Sequence, residues 1–140
     1  MNYLRRFGEN AVIFLLGGII YSLLEILFRG GTHWTMTLTG GMCLLLIYRH
    51  CANSPEEGMF GKCFYGMTVI TAFELAVGCI VNLIFHMGVW DYSSLPFNLF
   101  GQICLMFSAL WFLLSAPAVW LCRAVERVFQ EANNSYEYKH

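Results

Sequence analysis

A single helix needs about 20 apolar residues to cross a hydrocarbon core roughly 30 Å thick. This chain brings four stretches close to that length within its 140 residues. They are 11–28, 34–48, 63–87 and 97–122. The first carries Glu25 and the third Glu74, while the second and fourth have no charged side chain. Charged residues make up only 12% of the chain, against about 25% in an ordinary soluble domain. A water-soluble globule of this size would expose too much surface for so few charges. The reading is therefore an all-α polytopic membrane protein, a four-transmembrane-helix bundle forming one domain over 1–132, with a frayed cytoplasmic tail over 133–140.

Orientation follows from the basic residues. With the N-terminus inside, Arg5, Arg6, Arg49, Lys62, Arg123, Arg127 and Lys139 are cytoplasmic, and Arg29 alone is outside. Both termini are expected in the cytoplasm. The first apolar run ends in Glu25 and Arg29 rather than in a small-residue cleavage site, so it reads as a retained span, not a signal peptide. Ser54-Pro55-Glu56-Glu57 reads as a capping box that starts a helical turn leading into the third span. The tail from Arg123 to Ala132 is expected to continue span four as an amphipathic helix. A net charge of −1 points to no polyanion-binding surface, so no nucleic-acid partner is expected.

An ionisable group inside a membrane is costly and becomes a site candidate by default. Span one places Glu25 four residues before Arg29, the favourable order for an intrahelical pair near the outer end. Span three carries a stripe of Glu74, Gly78, Asn82 and His86 at steps of four, with Thr71 one turn below. Glu74 has no base on the neighbouring turns of its own helix, so buried alone it would keep its proton and hydrogen-bond a neighbouring helix. In span four Asn98 and Gln102 share a helical face near the outer end. With Arg29, His33, His86 and Asp91 they form an expected outward-facing polar cluster. The candidate substrate-binding set is thus Glu25, Arg29, His33, Glu74, Asn82, His86, Asp91, Asn98 and Gln102. Trp34, Trp90 and Tyr92 read as interfacial anchors rather than a cation cage. Gly17-Gly18, Gly40-Gly41, Gly78 and Gly101 read as points of close helix approach.

The six cysteines form no C-x-x-C pair and read as free thiols in packing roles. His33, His86 and Asp91 lack ligand spacing, so neither a metal site nor a cofactor is expected. No G-x-x-x-x-G-K-[ST], G-x-S-x-G or H-E-x-x-H occurs. The chain therefore has no P-loop of its own. Two similar pairs of strings raise the question of a two-hairpin duplication. Ser22-x-x-Glu25 matches Thr71-x-x-Glu74, and Gly40-Gly41-Met42-Cys43-Leu44 matches Gly101-Gln102-Ile103-Cys104-Leu105.

Longer motifs carry a family resemblance. They are Glu25-x-x-x-Arg29-Gly30, Thr32-His33-Trp34-x-Met36 and Gly40-Gly41 in the first half. The second half has Thr71-x-x-Glu74-x-x-x-Gly78-x-x-x-Asn82 and Trp90-Asp91-Tyr92-Ser93-x-x-Pro96-x-Asn98-x-x-Gly101-Gln102-Ile103-Cys104. From Gly17 to Trp111 the chain resembles the small bacterial membrane proteins known as putative ABC-transporter type IV, or CmpB-like permeases. The resemblance implies a multi-pass protein of the bacterial cytoplasmic (inner) membrane and a transport component for a small polar solute or ion. It also implies a lipid bilayer around the chain, a homo-oligomer and a separate ATPase subunit as partners. Two other readings stay open. One is a membrane-integral enzyme using His33, Asp91 and Glu25 on a lipid-linked substrate, which requires those side chains to converge. The other is a non-catalytic assembly partner.

Overall fold

The computed structural model describes residues 2–139. The chain is all-α: four helices, α1 (Asn2–Arg29), α2 (Trp34–Asn53), α3 (Met59–Gly78) and α4 (Leu105–Glu137), carry the architecture. Three of the helical stretches, Tyr3–Arg29, Met59–Ile84 and Leu105–Glu137, are long and apolar enough to cross a membrane. α2 is not among them: it has 20 residues, but its C-terminal turns carry Arg49, His50 and Asn53. Many large apolar side chains point away from the other helices, including Leu15, Leu23, Leu27, Phe64 and Leu113. Outward apolar surface on helices of this length is what lipid contact requires.

α1 and α2 form a tight antiparallel hairpin because glycines remove the side chains where they cross. A Cβ on Gly17 would lie 2.5 Å from the Gly40 carbonyl oxygen, and one on Gly41 2.8 Å from that of Phe14. Without a hydrophobic drive between helices in lipid, this close approach supplies the dispersion contact that holds them. Ser22 and Thr37 hydroxyls hydrogen-bond across the pair at 2.7 Å. α3 and α4 form the second hairpin in the same way. Gly66 faces Ser115, and the Thr71 and Ser108 hydroxyls meet at 3.0 Å.

The two hairpins share a register. Gly17, Ser22 and Glu25 on α1 correspond to Gly66, Thr71 and Glu74 on α3, and their contacts Leu44 and Thr37 on α2 correspond to Ser115 and Ser108 on α4. The Ser22/Thr71 half of the sequence echo thus has a structural counterpart. The Gly40/Gly101 half does not, because Gly40 lies in a helical interface while Gly101 sits in a turn at φ +71°.

Several local expectations change. The third span is not a uniform helix to Met87: after Gly78 it widens into a π-helical turn (Cys79–Ile84), and the chain leaves it at His86, whose φ is +53°. The fourth helix begins at Leu105 rather than near 97. Residues before it form a small antiparallel hairpin, β1 (Asn98–Leu99) with β2 (Ile103–Cys104), pairing Asn98 with Cys104 and Leu99 with Ile103. Positive φ at Phe100 and Gly101 turns this hairpin, a geometry a helix cannot contain. Ser54 caps the end of α2 through its N–H to the His50 carbonyl, so the expected capping box is absent and α3 starts after Gly58. α4 continues to Glu137, well past Asn133, where fraying was expected. His140, the end of that expected tail, lies outside the described residues. All six cysteines are free thiols.

Candidate functional site

Glu74 projects from the last turns of α3 into the space between the helices, and it is 1% exposed. Its carboxylate accepts a hydrogen bond from the Tyr21 hydroxyl at 2.8 Å and another from the Trp111 indole N–H at 3.1 Å. These donors come from α1 and α4, and their rings stack on each other with centroids 5.4 Å apart. A buried carboxylate needs such donors, because leaving its oxygens bare would cost several kcal/mol. Tyr and Trp are well matched to this role, since each offers one polar atom on an apolar body.

The cation absent from α3 itself comes from α1. Arg29 places Nη2 3.7 Å from Glu74 and Nη1 2.5 Å from Glu25. Glu25 is also held by the Thr32 hydroxyl at 3.1 Å. Glu74 therefore is not a lone acid on an apolar helix, as its own turns suggested. The intrahelical pair of Glu25 and Arg29 forms as expected, and it reaches across the bundle to include Glu74.

Arg29 is enclosed by aromatic rings. Its guanidinium carbon lies 5.3 Å from the Trp90 centroid, 5.2 Å from that of Tyr92 and 6.0 Å from that of Phe107. It also donates to the Tyr92 hydroxyl. Trp90 is 5% exposed and Tyr92 is buried beside it, whereas Trp34 is 67% exposed. The reading of Trp90 and Tyr92 as interfacial anchors is thus overturned: they form a cation cage, and the cation is the chain's own arginine. The sequence offered no spacing that would bring residues 90 and 92 over residue 29, because the contact depends on how the loop folds back.

The loop after α3 is fastened by the amides. Asn82 donates to Gln102 at 2.8 Å and accepts the Val89 N–H at 2.7 Å. The Trp90 indole donates to the Gln102 carbonyl at 2.9 Å, which sets the ring over Arg29. Gln102 in turn donates to the Phe100 carbonyl, and Asn98 donates to the Leu95 carbonyl. Asp91 accepts the Ser93 N–H at 2.8 Å, and these Ser93 hydrogen bonds hold its carboxyl below the usual carboxylate range. Gly78 is required under this lid, since a Cβ there would lie 2.6 Å from Gln102 Oε1.

Of the nine candidate residues, Glu25, Arg29 and Glu74 meet directly. Asn82, Asp91, Asn98 and Gln102 are spent on the loop that covers them. Asn98 and Gln102 do so from the hairpin, not from a shared helical face. His33 caps α2, its Nδ1 2.7 Å from the Thr35 hydroxyl. His86 is exposed and leaves the stripe because its backbone has turned out of the helix. His33, Asp91 and Glu25 each bond a different partner and none bonds another. Among the described residues no group of three or more His, Cys, Asp or Glu side chains could hold a metal ion.

The sequence alone did not single out Tyr21, Trp111 or Phe107, because no spacing links them to Glu74 or Arg29. It also passed over Glu9, a buried acid hydrogen-bonded by Tyr48 at 2.5 Å and paired with Arg5 at 2.7 Å. The Arg5-x-x-x-Glu9 spacing was the available signal. Below Glu74 lies an apolar cleft of about 300 Å³, walled by Tyr21 and Leu24 on one side and by Trp111, Leu114, Pro117 and Ala118 on the other. Tyr21 and Trp111 thus separate the charged centre from an apolar chamber.

These motifs have relatives. The chain belongs to the family described as putative ABC-transporter type IV, whose model matches residues 2–138. No curated protein and no solved structure matches it.

Proposed function

We propose that this member of that family is a permease-like subunit of a membrane transporter for a small polar solute or ion, with the Arg29–Glu74 pair as its charged centre. The observation that carries the reading is Glu74 itself, fully buried in an apolar helix yet paired with a cation from another helix. Acids at such positions mark ion and substrate pathways more often than they serve packing alone. The pair is exchangeable by design of charge: a cationic solute group could replace Arg29 at Glu74, and an anionic one could replace Glu74 at Arg29. Glu25 keeps Arg29 oriented during the exchange. Asn82, Asp91, Asn98 and Gln102 hold the covering loop.

On this reading α2 returns through the bilayer along α1, giving four crossings with both termini in the cytoplasm of a bacterial cell. A chain without a P-loop needs a separate ATPase subunit to use ATP, and four helices need further copies to line a continuous path. The test is uptake by proteoliposomes holding the full chain under an imposed gradient. The probes are ²²Na⁺, ⁸⁶Rb⁺, a pH-reporting dye and radiolabelled amino acids. One probe should enter faster than in protein-free vesicles, and Glu74→Gln should return it to the protein-free rate. Unchanged uptake in that variant would remove Glu74 from the mechanism.

A further inference from the structure

A second pocket, of about 310 Å³, lies at the opposite end of the bundle from Glu25. Its wall includes Tyr48 and Cys51 from the last turns of α2, Lys62 from the first turn of α3, and Arg123, Glu126 and Arg127 from α4. Three basic side chains and one acid thus face one small space. Its counterpart beside Glu74 is lined by apolar side chains, so the two cavities differ in kind.

Lys62 is the decisive residue. It is 2% exposed, and among the described residues its ammonium makes no ion pair and no hydrogen bond. Arg123 and Arg127 likewise pair with no acid, while Glu126 meets Gln130. Of the other acids at this end, Glu57 is engaged by His50 at 2.5 Å, and Glu9 is held by Arg5 at 2.7 Å and by the Tyr48 hydroxyl. A lysine this deeply covered normally carries a partner, since its charge loses water on burial. Here the stem is wrapped by protein, while the head lines the pocket and keeps access to solvent. Arg123 and Arg127 stand one helical turn apart on the same face, so both can reach one ligand.

We propose that this pocket binds a phosphate-bearing anion, with Lys62 as the buried point charge and Arg123 and Arg127 as the planar donors that close over it. The arrangement fits phosphate chemistry: a compact ammonium beneath and guanidinium forks at the rim give charge-assisted hydrogen bonds to several oxygens of one group. The position also fits, because the pocket sits where apolar helices end and basic side chains meet headgroups. The phosphate could belong to an anionic lipid or be free in solution.

The experiment uses the full chain purified in a neutral detergent. Native mass spectrometry measures retention of phosphatidylglycerol against phosphatidylcholine. Thermal unfolding measures stabilisation by inorganic phosphate against chloride at equal ionic strength. Binding of phosphatidylglycerol alone identifies a lipid headgroup as the source, stabilisation by phosphate alone identifies the free anion, and both together identify the phosphate group itself. Any of the three supports the site, provided Lys62→Met and Arg127→Gln each weaken it by roughly tenfold. Lys139→Gln, away from the pocket, should change nothing. Arg127 is exposed, so its variant carries the test even if Lys62→Met does not fold. Retention of neither probe, or equal binding by Arg127→Gln and Lys139→Gln, overturns the proposal.

Discussion

Arg29 and Glu74 lie on different helices, one at the end of α1 and one in the last turns of α3, yet their charged groups approach to 3.7 Å, with Glu74 fully buried and Arg29 largely so. The guanidinium also holds Glu25, so one cation serves two carboxylates that occupy corresponding places in the two hairpins. The shared register explains the convergence. Each hairpin carries an acid three residues beyond its hydroxyl pair, and the interface brings both acids to the same arginine.

That relationship sets the first prediction. Glu74→Gln keeps the shape and one acceptor but removes the charge that Arg29 faces. We expect a loss of about 1–3 kcal/mol, below the roughly 3–5 kcal/mol of a buried pair broken outright, because Glu25 still holds the arginine. Arg29→Gln should cost more, since it strands two carboxylates. Unfolding of the two single variants and the double variant in mixed micelles gives the coupling directly. Strict additivity would show that the two side chains do not interact.

The α1–α2 crossing gives the second. A Cβ on Gly40 would lie 2.3 Å from the Tyr21 Cβ and 2.7 Å from the Gly17 carbonyl oxygen, both rigid parts of the chain. Gly40→Ala must therefore push the helices apart. It should destabilise by roughly 1–3 kcal/mol and loosen Tyr21 from Glu74. Gly31→Ala, where nothing lies within 4 Å, is the matched control and should be nearly silent. Equal thermal unfolding of the two variants would contradict so close a crossing.

How legible this was in advance depended on whether a feature is local. Apolar runs declared the helices, since length and hydrophobicity need no partner to be read. The Glu25–Arg29 pair was visible because a spacing of four is a property of one helix. Glu74 was recognisable as out of place, but its partners were not, because Arg29, Tyr21 and Trp111 reach it only after three helices pack. The segment from Phe97 to Cys104 was misread as helix. Its apolar residues suit a span, and only positive φ at Phe97, Phe100 and Gly101 reveals the hairpin. That hairpin places Gln102 under Trp90, so missing it also hid the aromatic cage.

The cage yields a third prediction. Tyr92→Phe keeps the ring that stacks on Phe107 at 4.6 Å but removes the hydroxyl that Arg29 donates to. We expect about 1–2 kcal/mol of destabilisation from the lost charge-assisted bond. Trp90→Leu removes a cage wall and the indole bond to Gln102 together, and should cost more. Hydrogen exchange of the peptide spanning 88–104 reads the effect on the loop. Faster exchange in Trp90→Leu than in Tyr92→Phe is expected; the reverse order would mean that the hydroxyl, not the ring, holds the loop.

Acid should open the same loop from its outer side. Asp91 is exposed, and its carboxylate accepts from Ser93, whose side chain and N–H hold the carboxyl below its ordinary range. A depressed folded value means that the ionised form favours the folded loop. This contribution is complete above the unfolded value of about 3.9 and fades as pH falls through the lower folded value. Gly101 packs directly against this carboxylate, a Cβ there lying 2.8 Å from Oδ1, so protonation should also loosen the turn. Asp91→Asn has no charge to lose, and its loop should therefore show the same protection on both sides of that window. Comparing wild type with Asp91→Asn by hydrogen exchange at matched pH, from 5 down to 2, isolates the carboxylate. A wild-type loop that stays as protected as the variant throughout would show that the Asp91–Ser93 contact does not stabilise it.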